Sequence, residues 1–427
     1  MPLLGTIRLL IIDILRGTNI LTELKRLNKE QYLNRAQLEH ISSEKTRQVI
    51  SYARSHVPYY QQFSLDKELP LLTKDLIRGH RKEFLAPNYK GKLYPKSTGG
   101  STGLPLHYYT TTKAQSFMWA GIIHAWKIVG YKLGDRVAFV SGTALVKNNW
   151  QHQLFYKLLN IEVLSAYDLT GPSIEKYLKI LNQRKIKIIY GYPTALNEIA
   201  LYVLQKEDYM FNSLKGVITT SEVLHEKHRI NIENAFKVVV RNQYGCNEAG
   251  ISAFECEYGK MHNINTASSI ELHKGELYAT NLINDAFYFI KYATGDTIKI
   301  STANTCSCKR GYPIIEKVEG RSVDIIIDKD GKKIHASIFS ILFRSIPIIE
   351  QFQIQFDKTS INIYLRLSET SLSKMQYDQV LAHVKNQMSF DDYKIYTNSK
   401  FLQTANAKHR YVIDNRAKQN ISHENMV

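Results

Sequence analysis

Short apolar runs alternate with segments of helical spacing between residues 136 and 240, and this alternation limits the fold more than any other feature. The apolar runs predict strands, and the segments between them carry apolar residues every three or four positions, as amphipathic helices do. Strands that alternate with helices form βαβ units and a parallel sheet. The predicted strands are 136–140, 161–164, 186–190, 217–220 and 238–240, and the predicted helices are 173–182, 194–204 and 226–235.

Polar groups follow three of these predicted strands. They are Gly191–Pro193, Thr219–Glu222 and Gln243–Glu248. In open parallel sheets, ligands bind beyond the carboxyl ends of the strands. The sequence therefore predicts a ligand site at this edge of the sheet.

A further pattern extends the fold beyond the parallel sheet. Alternating polar and apolar residues from about Ser269 predict antiparallel strands at 270–272, 276–280, 287–291 and 297–300, with Thr294–Asp296 in a turn. The predicted fold class is α/β: a large N-terminal domain with mainly parallel sheets and an antiparallel strand-rich subdomain, plus a small α+β C-terminal domain. The predicted segments are a helical region at 1–90, an α/β core at 91–268, the strand-rich subdomain at 269–323 and a mobile C-terminal domain at 324–427.

A glycine- and hydroxyl-rich stretch precedes the alternating region. It consists of Ser97, Thr98, Gly99, Gly100, Ser101, Thr102 and Gly103. Glycines let a backbone approach a ligand closely, and amide and hydroxyl donors suit phosphate oxygens. The stretch lacks the Gly-Lys-Ser/Thr of a Walker loop, and on its own it is also compatible with a flexible linker.

The chain carries a formal net charge of +17, which favours an anionic partner such as a nucleotide or a membrane surface. Its basic residues are spread along the sequence and accompany no nucleic-acid-binding signature, so we expect no nucleic-acid partner. Residues 3–15 are apolar but too short and too polar to span a bilayer. They predict a helix that either packs on the protein or lies on a membrane surface. Nothing in the sequence predicts an oligomeric state.

Five motifs in order carry a resemblance to a known family. They are Ser-Thr-Gly-Gly-Ser-Thr-Gly-Leu-Pro from Ser97, Tyr-Gly-Cys-Asn-Glu from Tyr244, Thr-Gly-Asp from Thr294, Glu-Gly-Arg-Ser-Val-Asp from Glu319 and Asn-Ala-Lys-His-Arg from Asn406. Together they resemble the adenylate-forming superfamily of acyl-CoA synthetases over nearly the whole chain. Within it, the chain is similar to the phenylacetate–CoA ligase-like branch, which includes adenylating enzymes linked to capsule and exopolysaccharide synthesis.

The resemblance implies ATP-dependent activation of a carboxylic acid, with Mg²⁺ on the phosphates and transfer of the acyl group to an acceptor. It implies that the glycine-rich stretch holds pyrophosphate, Glu248 helps hold Mg²⁺, Tyr244 stacks on adenine and Asp296 binds the ribose hydroxyls. Five further residues receive predicted roles. Glu222 and Gly245 belong to the nucleotide site, Arg321 contacts ribose or phosphate, and Asp324 is the hinge of the C-terminal domain. Lys408 stabilises developing charge at the α-phosphate.

Three departures from the family pattern limit what the resemblance implies. Leu104 stands where many relatives carry a lysine, so Mg²⁺, Arg321 and Lys408 would supply the positive charge that binds phosphate. Lys408 is preceded by alanine where many members have glycine. Residues 328–333 replace the glycine-rich turn that helps form the thioester-forming conformation, so CoA is not assured as the acceptor. A carrier thiol and a sugar or amine remain open, as does the identity of the acid.

Cysteine and histidine pairs predict a metal site. Five residues separate Cys256 from His262, and one residue separates Cys306 from Cys308. Three thiolates and an imidazole make a closed tetrahedral Zn²⁺ site with a structural role. Similar pairs occur in parts of the resembled branch, and the alternative is a set of buried small residues with an unrelated histidine. Cys246 is predicted to line the nucleotide site rather than act as a nucleophile.

The sequence thus predicts a carboxylate-adenylating enzyme, serving surface polysaccharide synthesis or a related acylation. The alternatives are an aryl-acid CoA ligase and a non-catalytic nucleotide-binding or membrane-associated scaffold. Four cysteines in a chain of this size do not indicate a disulfide scaffold. We therefore expect a cytoplasmic protein, and peripheral association with the inner face of the membrane is the alternative to a freely dissolved one.

Overall fold

A computed structural model describes the chain at residues 2–98, 106–141, 150–166, 169–206, 209–273, 275–303, 305–320, 325–335, 337–344, 346, 348–367, 370–399 and 412–416. The described residues form two compact units. The first unit ends at Gly320, and the second contains the residues from Ile325 onward. The segment boundaries predicted at residues 90, 268 and 323 stay predictions.

Ten α-helices of the first unit lie in the described residues. They are α1 Pro2–Arg16, α2 Ile20–Glu30, α3 Arg35–His56, α4 Pro58–Gln61, α5 Lys74–Gly79, α6 Thr112–Ile128, α7 Trp150–Leu158, α8 Gly171–Gln183, α9 Pro193–Leu204 and α10 Glu226–Phe236, with a 3₁₀ helix at Arg81–Phe84. Local sequence explains several helix starts. Asn34 and Gln37 form a capping box at the start of α3, and Pro58 occupies the first turn of α4, where its missing N–H costs nothing.

Thirteen strands of the first unit fall within the same described ranges. They are β1 Leu93–Ser97, β2 His107–Thr111, β3 Val137–Ser141, β4 Ile161–Ser165, β5 Ile188–Gly191, β6 Gly216–Thr220, β7 Val239–Cys246, β8 Ile251–Glu255, β9 Met261–Asn263, β10 Ser268–His273, β11 Glu276–Asn281, β12 Tyr292–Ile300 and β13 Ile314–Gly320. β1 and β2 form an antiparallel hairpin. The other strands form one sheet in the order β10-β11-β12-β13-β9-β8-β7-β6-β5-β3-β4.

This large sheet has a parallel half and an antiparallel half. β4, β3, β5, β6 and β7 pair in parallel, and from β7 to β10 every pairing is antiparallel. Successive residues of β3 bury against opposite layers: Val137 and Phe139 pack with α6 and α7, and Ala138 and Val140 pack with α8, α9 and α10. Helices on both faces explain why the parallel strands read as continuous apolar runs. The predicted α/β class is confirmed, with the two kinds of pairing joined in a single sheet.

Three local predictions were wrong. β7 continues past the predicted end at Val240 to Cys246, because Gln243–Cys246 find a second partner in β8. Thr294–Asp296 lie inside β12 rather than in a turn. They form a bulge opposite β11, where Gly295 has a φ of 83° and the pairing register shifts.

The predicted strand at 287–291 is instead a buried irregular segment. Phe287, Phe289 and Ile290 are fully buried, which explains the apolar run. The backbone of this segment bonds Phe84, the Tyr60 hydroxyl and, through Phe289 O, Asn281 at the end of β11.

The second unit has its own sheet and core. Its described elements are β14 Ile325–Ile327, β15 Lys333–His335, α11 Ser337–Arg344, β16 Ile349–Phe356, β17 Ser360–Leu367, α12 Lys374–Gln387, β18 Asp392–Thr397 and β19 Val412–Asp414. The sheet order is β18-β17-β16-β19, and β14 pairs with β15. Phe339, Ile354, Leu365 and Val384 are core residues of this unit. Across both units, no described helix combines the length and the apolar character needed to cross a membrane.

Candidate functional site

The β1–β2 hairpin closes the base of the glycine-rich stretch. Ser97 pairs with His107, and the residues next to them, Thr98 and Leu106, form two hydrogen bonds. Thr98 N–H donates to Leu106 O, and Leu106 N–H donates to the Thr98 hydroxyl, each at 3.0 Å. The Thr98 hydroxyl therefore helps to hold the two strand ends together where the glycine-rich stretch begins. Of the predicted phosphate ligands, Ser97 and Thr98 are described, and Gly99, Gly100, Ser101, Thr102 and Gly103 lie outside the described residues.

Tyr244 and Asp296 meet although β7 and β12 are not neighbours in the sheet. The Tyr244 hydroxyl donates to Asp296 Oδ2 at 2.8 Å. The bulge in β12 helps to place the aspartate, because the Thr294 hydroxyl donates to Leu277 O at 3.0 Å and accepts from Asp296 N–H at 3.1 Å. Burial, followed by the charge of Asp296, raises the pKa of Tyr244 well above its ordinary value, so the phenol stays a donor.

Glu248 lies in the tight turn that joins β7 to β8. The turn favours glycine at position 250 for two reasons. Gly250 has a φ of 69°, and a Cβ there would lie 2.8 Å from Asn281 Cγ. Asn281 also donates its side-chain N–H to Glu248 O at 2.9 Å. The Glu248 side chain is buried and accepts a long hydrogen bond, 3.4 Å, from the Tyr292 hydroxyl. The charge of Glu248 also contributes to the raised pKa of Tyr244, so the carboxylate lies near the Tyr244–Asp296 pair.

Tyr292 and Asn281 were missed by the sequence interpretation. Both support Glu248 from strands that come more than thirty residues later, and neither belongs to a motif. The only sequence signal was Asn281 itself, a polar residue at the end of a strand pattern.

The remaining predicted nucleotide-site residues are placed as follows. Gly245 lies within β7, where a Cβ would be 3.3 Å from Ile251 O on β8. Glu222 follows β6, one residue after Ser221, whose φ is 69°. Cys246 ends β7, and burial, followed by the charges of Glu248 and Asp296, raises the pKa of its thiol well above the ordinary value. Arg321, Asp324 and Lys408 lie outside the described residues.

The structure brings Cys256, His262, Cys306 and Cys308 together. Their donor atoms all lie within 4.8 Å of one another. Cys256 Sγ is 3.8 Å from Cys306 Sγ, and Cys308 Sγ is 3.3 Å from His262 Nε2. The set comprises three sulfur donors and one imidazole nitrogen in a mostly buried position, which fits a closed tetrahedral Zn²⁺ site.

The surroundings of this Cys/His cluster also fit a metal. His262 Nδ1–H donates to Tyr312 O at 3.1 Å, which leaves Nε2 as the ligand atom. Burial lowers the pKa of His262, so its imidazole is neutral as a ligand must be. Burial raises the pKa of Cys256 to about 12, a cost that a bound cation would offset by favouring the thiolate. Arg310 N–H donates to Cys308 Sγ at 3.5 Å.

The cluster docks onto the N-terminal helices through the segment that follows Cys308. Arg310 donates to the side chain of Gln31 at 2.7 Å, and the Tyr312 hydroxyl donates to Glu30 Oε1 at 3.0 Å. Gly311 N–H donates to Gln31 O, and a Cβ on this glycine would lie 2.0 Å from Leu33 O. Residues 310–312, which follow the cysteine pair directly, therefore hold the end of α2.

Comparison with known proteins gives one curated relative and a set of similar solved structures. No protein-family model matches the chain. The chain is 26% identical over 371 residues to Protein CapK of Staphylococcus aureus, an alignment that covers 82% of this chain and 80% of that protein.

The solved structures share the fold over nearly the whole chain. A 2-hydroxyisobutyryl-CoA ligase in the postadenylation state, in complex with R3-HIB-AMP, has a TM-score of 0.59 at 15% identity and covers 93% of this chain and 94% of its own. The same ligase in complex with 2-HIB-AMP and CoA, in the thioesterification state, has a TM-score of 0.59 at 16% identity, with 92% and 94% covered. The chain has the fold of these acyl-CoA ligases of the adenylate-forming superfamily, and the predicted resemblance is confirmed at the level of the fold.

Proposed function

We propose that this protein is an ATP-dependent ligase that activates a carboxylic acid as its adenylate and then transfers the acyl group to an acceptor. The observation that carries the proposal is the 2.8 Å contact between the Tyr244 hydroxyl and Asp296 Oδ2, with Glu248 four residues from Tyr244. This contact joins the residues that the resemblance assigns to adenine and ribose, on the fold of ligases solved with acyl adenylates.

In this proposal, Asp296 and Tyr244 bind the nucleoside. One oxygen of Asp296 accepts from Tyr244, and a carboxylate has further lone pairs that accept from the ribose hydroxyls. The same hydrogen bond fixes the position of the Tyr244 hydroxyl, and the aromatic ring is the part of the side chain that would stack on adenine. Ser97, Thr98 and the glycines that follow them hold the phosphates by amide and hydroxyl donors, as the sequence predicts.

Glu248 would hold Mg²⁺, which supplies positive charge against the phosphate oxygens. A carboxylate oxygen is the ligand type that Mg²⁺ prefers, and the buried Glu248 side chain is oriented by Tyr292. Lys408 and Arg321, both proposed from sequence, would stabilise the charge that develops at the α-phosphate.

The chemistry takes two steps. A carboxylate oxygen of the acid attacks the α-phosphorus of ATP, and the bond between the α-phosphorus and the bridging oxygen breaks to release pyrophosphate. The nucleophile of the acceptor then attacks the acyl carbon, AMP leaves with the electron pair of the mixed anhydride, and the proton of the acceptor is released. The likeness to Protein CapK supports a role in surface polysaccharide synthesis, where a sugar or carrier would be the acceptor.

The proposal includes a structural Zn²⁺ bound by Cys256, His262, Cys306 and Cys308. It is supported by the convergence of four donors within 4.8 Å and by the Tyr312 carbonyl that orients the imidazole. All four positions of a tetrahedral ion are taken by protein ligands, so this ion has no position open for substrate. Its role is to join the β8–β9 hairpin to the Cys306–Cys308 loop.

Pyrophosphate exchange tests the proposal. Purified protein with Mg²⁺, ATP, labelled pyrophosphate and a panel of aliphatic, hydroxylated and aromatic acids should show exchange that depends on one class of acid. Lys408→Ala should abolish exchange and leave the thermal unfolding temperature unchanged. Binding of ATP without exchange for any acid would instead favour the non-catalytic scaffold.

Transfer to CoA is the second candidate, and the solved ligase with CoA in the thioesterification state favours it. Once the acid is known, AMP release is measured with and without CoA. Consumption of one CoA for each AMP released would identify a CoA ligase. Acid-dependent exchange with no CoA consumption would exclude CoA as the acceptor.

A further inference from the structure

Helix α1 is apolar on two opposite faces, and only one of them is covered by the protein. Leu9 and Ile12 are buried, and a Cβ at Gly5 would lie 2.2 Å from the Leu133 carbonyl, so this face is fixed against the first unit. The opposite face consists of aliphatic side chains that are 40% to 80% exposed. They are Leu3, Leu4, Ile7, Leu10, Ile11, Ile14 and Leu15.

These seven side chains form one continuous surface, the outer face of α1. At 3.6 residues per turn they occupy an arc of roughly 140°, centred opposite Leu9 and Ile12. Soluble proteins rarely expose an aliphatic surface of this extent unless something binds it. At 15 residues the helix is too short to span a bilayer, so it lies along whatever surface it contacts.

Charge around the outer face favours an anionic surface. Asp13 is the single acidic residue of α1, and its carboxylate is bonded to the start of α2 and not to the outer face. It accepts from Ile20 N–H at 2.8 Å and from Leu21 N–H at 3.1 Å. Arg8 lines a small cavity with Leu133 and Leu158, and each of these leucines directly follows an exposed lysine in the sequence, Lys132 and Lys157. The nearby carboxylate of Asp135 is paired with Lys215 at 2.7 Å.

The composition of the outer face fits lipid better than a protein partner. Protein interfaces are centred on tryptophan, tyrosine and arginine, and leucine is under-represented among their main binding residues. The outer face contains only leucine and isoleucine. α7, which packs against α1, exposes Trp150 and Leu154, and tryptophan favours the boundary between acyl chains and headgroups.

We propose that the outer face of α1 docks the protein on an anionic lipid bilayer, with α1 lying in the plane of the membrane surface. Leucine and isoleucine side chains enter the acyl region, and Arg8, Lys132 and Lys157 contact anionic headgroups. This inference is independent of the proposed enzymatic activity. It applies equally to a protein that only binds nucleotides.

Co-sedimentation with vesicles tests the inference. The full chain should bind vesicles of equal parts phosphatidylcholine and phosphatidylglycerol, and it should bind vesicles of pure phosphatidylcholine more weakly. This difference in affinity should become smaller as the salt concentration rises. The combined variant Ile7→Ser, Leu10→Ser, Ile14→Ser should reduce partitioning at least about tenfold. A matched variant, Leu65→Ser, Met210→Ser, Met375→Ser, changes three exposed apolar residues elsewhere and should bind as the wild type does.

Two further variants keep the test decisive. Ile14→Asp changes the side chain that is 80% exposed, so it should weaken binding severalfold without affecting the fold. Lys132→Glu with Lys157→Glu should remove the preference for phosphatidylglycerol and leave binding to phosphatidylcholine unchanged. Wild-type protein that ignores both vesicles, or a concentration-dependent dimer that the Ile7, Leu10, Ile14 variant dissociates, would overturn the inference.

Discussion

The Tyr244–Asp296–Glu248 cluster and the Cys/His cluster are built on opposite principles. In the first, the protein's own hydrogen bonds orient the side chains: Tyr244 bonds Asp296, and Tyr292 bonds Glu248. In the second, three buried or half-buried sulfurs face one another and a neutral imidazole. The first arrangement suits a ligand that binds and dissociates, and the second suits a bound cation, which favours the thiolate form of cysteine.

The antiparallel half of the sheet carries residues of both clusters. The β7–β8 turn carries Glu248, and the β8–β9 hairpin carries Cys256 and His262. Substitutions in the first cluster should therefore change catalysis with little effect on stability. Substitutions in the Cys/His cluster should change stability first.

The largest expected effect is that of Cys308→Ser. Removing one thiol should abolish stoichiometric zinc and lower the free energy of unfolding by at least about 5 kcal/mol, since metal binding contributes directly to folding. Elemental analysis and urea unfolding measure the two quantities. Cys246→Ser makes the same chemical change at a cysteine outside the cluster and should retain the zinc.

Wild-type protein without stoichiometric zinc would remove the distinction between the two clusters. So would a Cys308→Ser variant that unfolds at the same urea concentration as the wild type. A strong chelator should reproduce the variant's behaviour in the wild type and should have no further effect on Cys308→Ser.

Glu248→Gln should have the next largest effect. Replacing the charged ligand should reduce pyrophosphate exchange about 10²- to 10³-fold and raise the Mg²⁺ concentration needed for half-maximal rate. Unfolding should change by less than about 1 kcal/mol, because the amide is isosteric and still accepts from Tyr292. Glu316→Gln, an exposed glutamate on β13 that pairs with Lys299, is the matched control. Unchanged exchange in Glu248→Gln would remove Glu248 from the site.

The sequence predicted the parallel half of the large sheet better than the antiparallel half. Parallel strands such as β5 and β6 are buried on both faces, so each appears in the sequence as a short apolar run between helices. The bulge at Gly295 depends on how β12 pairs with β11, which the local sequence does not encode. For the same reason an apolar run near Phe287 suggested a strand that the fold does not contain.

The candidate site was predictable where spacing alone places its residues. Cys256 and His262 flank a single hairpin, so proximity follows from their separation in sequence. Tyr244 and Asp296 are 52 residues apart on strands that do not pair, and only the family resemblance linked them before the structure did. The supporting residues Tyr292 and Asn281 had no motif, because their roles arise from contacts with a turn that lies more than thirty residues earlier in the chain.

Asp296→Asn should have a smaller effect than Glu248→Gln, and it should act on binding. We expect the KM for ATP to rise about tenfold with little change in kcat, since a neutral amide is a weaker acceptor for ribose hydroxyls. Wild-type enzyme should discriminate against 2′-deoxy- or 3′-deoxy-ATP, and the variant should lose most of that discrimination. Asp75→Asn on α5 controls for the loss of one surface carboxylate. A variant that keeps the wild-type preference for ATP would place the ribose elsewhere.

Tyr244→Phe should have the smallest effect and should test whether the first cluster acts as a unit. The ring remains, so stacking is retained, and only the hydrogen bond to Asp296 is lost. We expect the KM for ATP to rise about threefold, equivalent to about 0.6 kcal/mol, in the range of a net hydrogen bond. In the Asp296→Asn background the same substitution should change the KM by much less, because its partner is already altered. A double-mutant cycle on KM measures this coupling, and strictly additive effects would mean that Tyr244 and Asp296 contact the nucleotide independently.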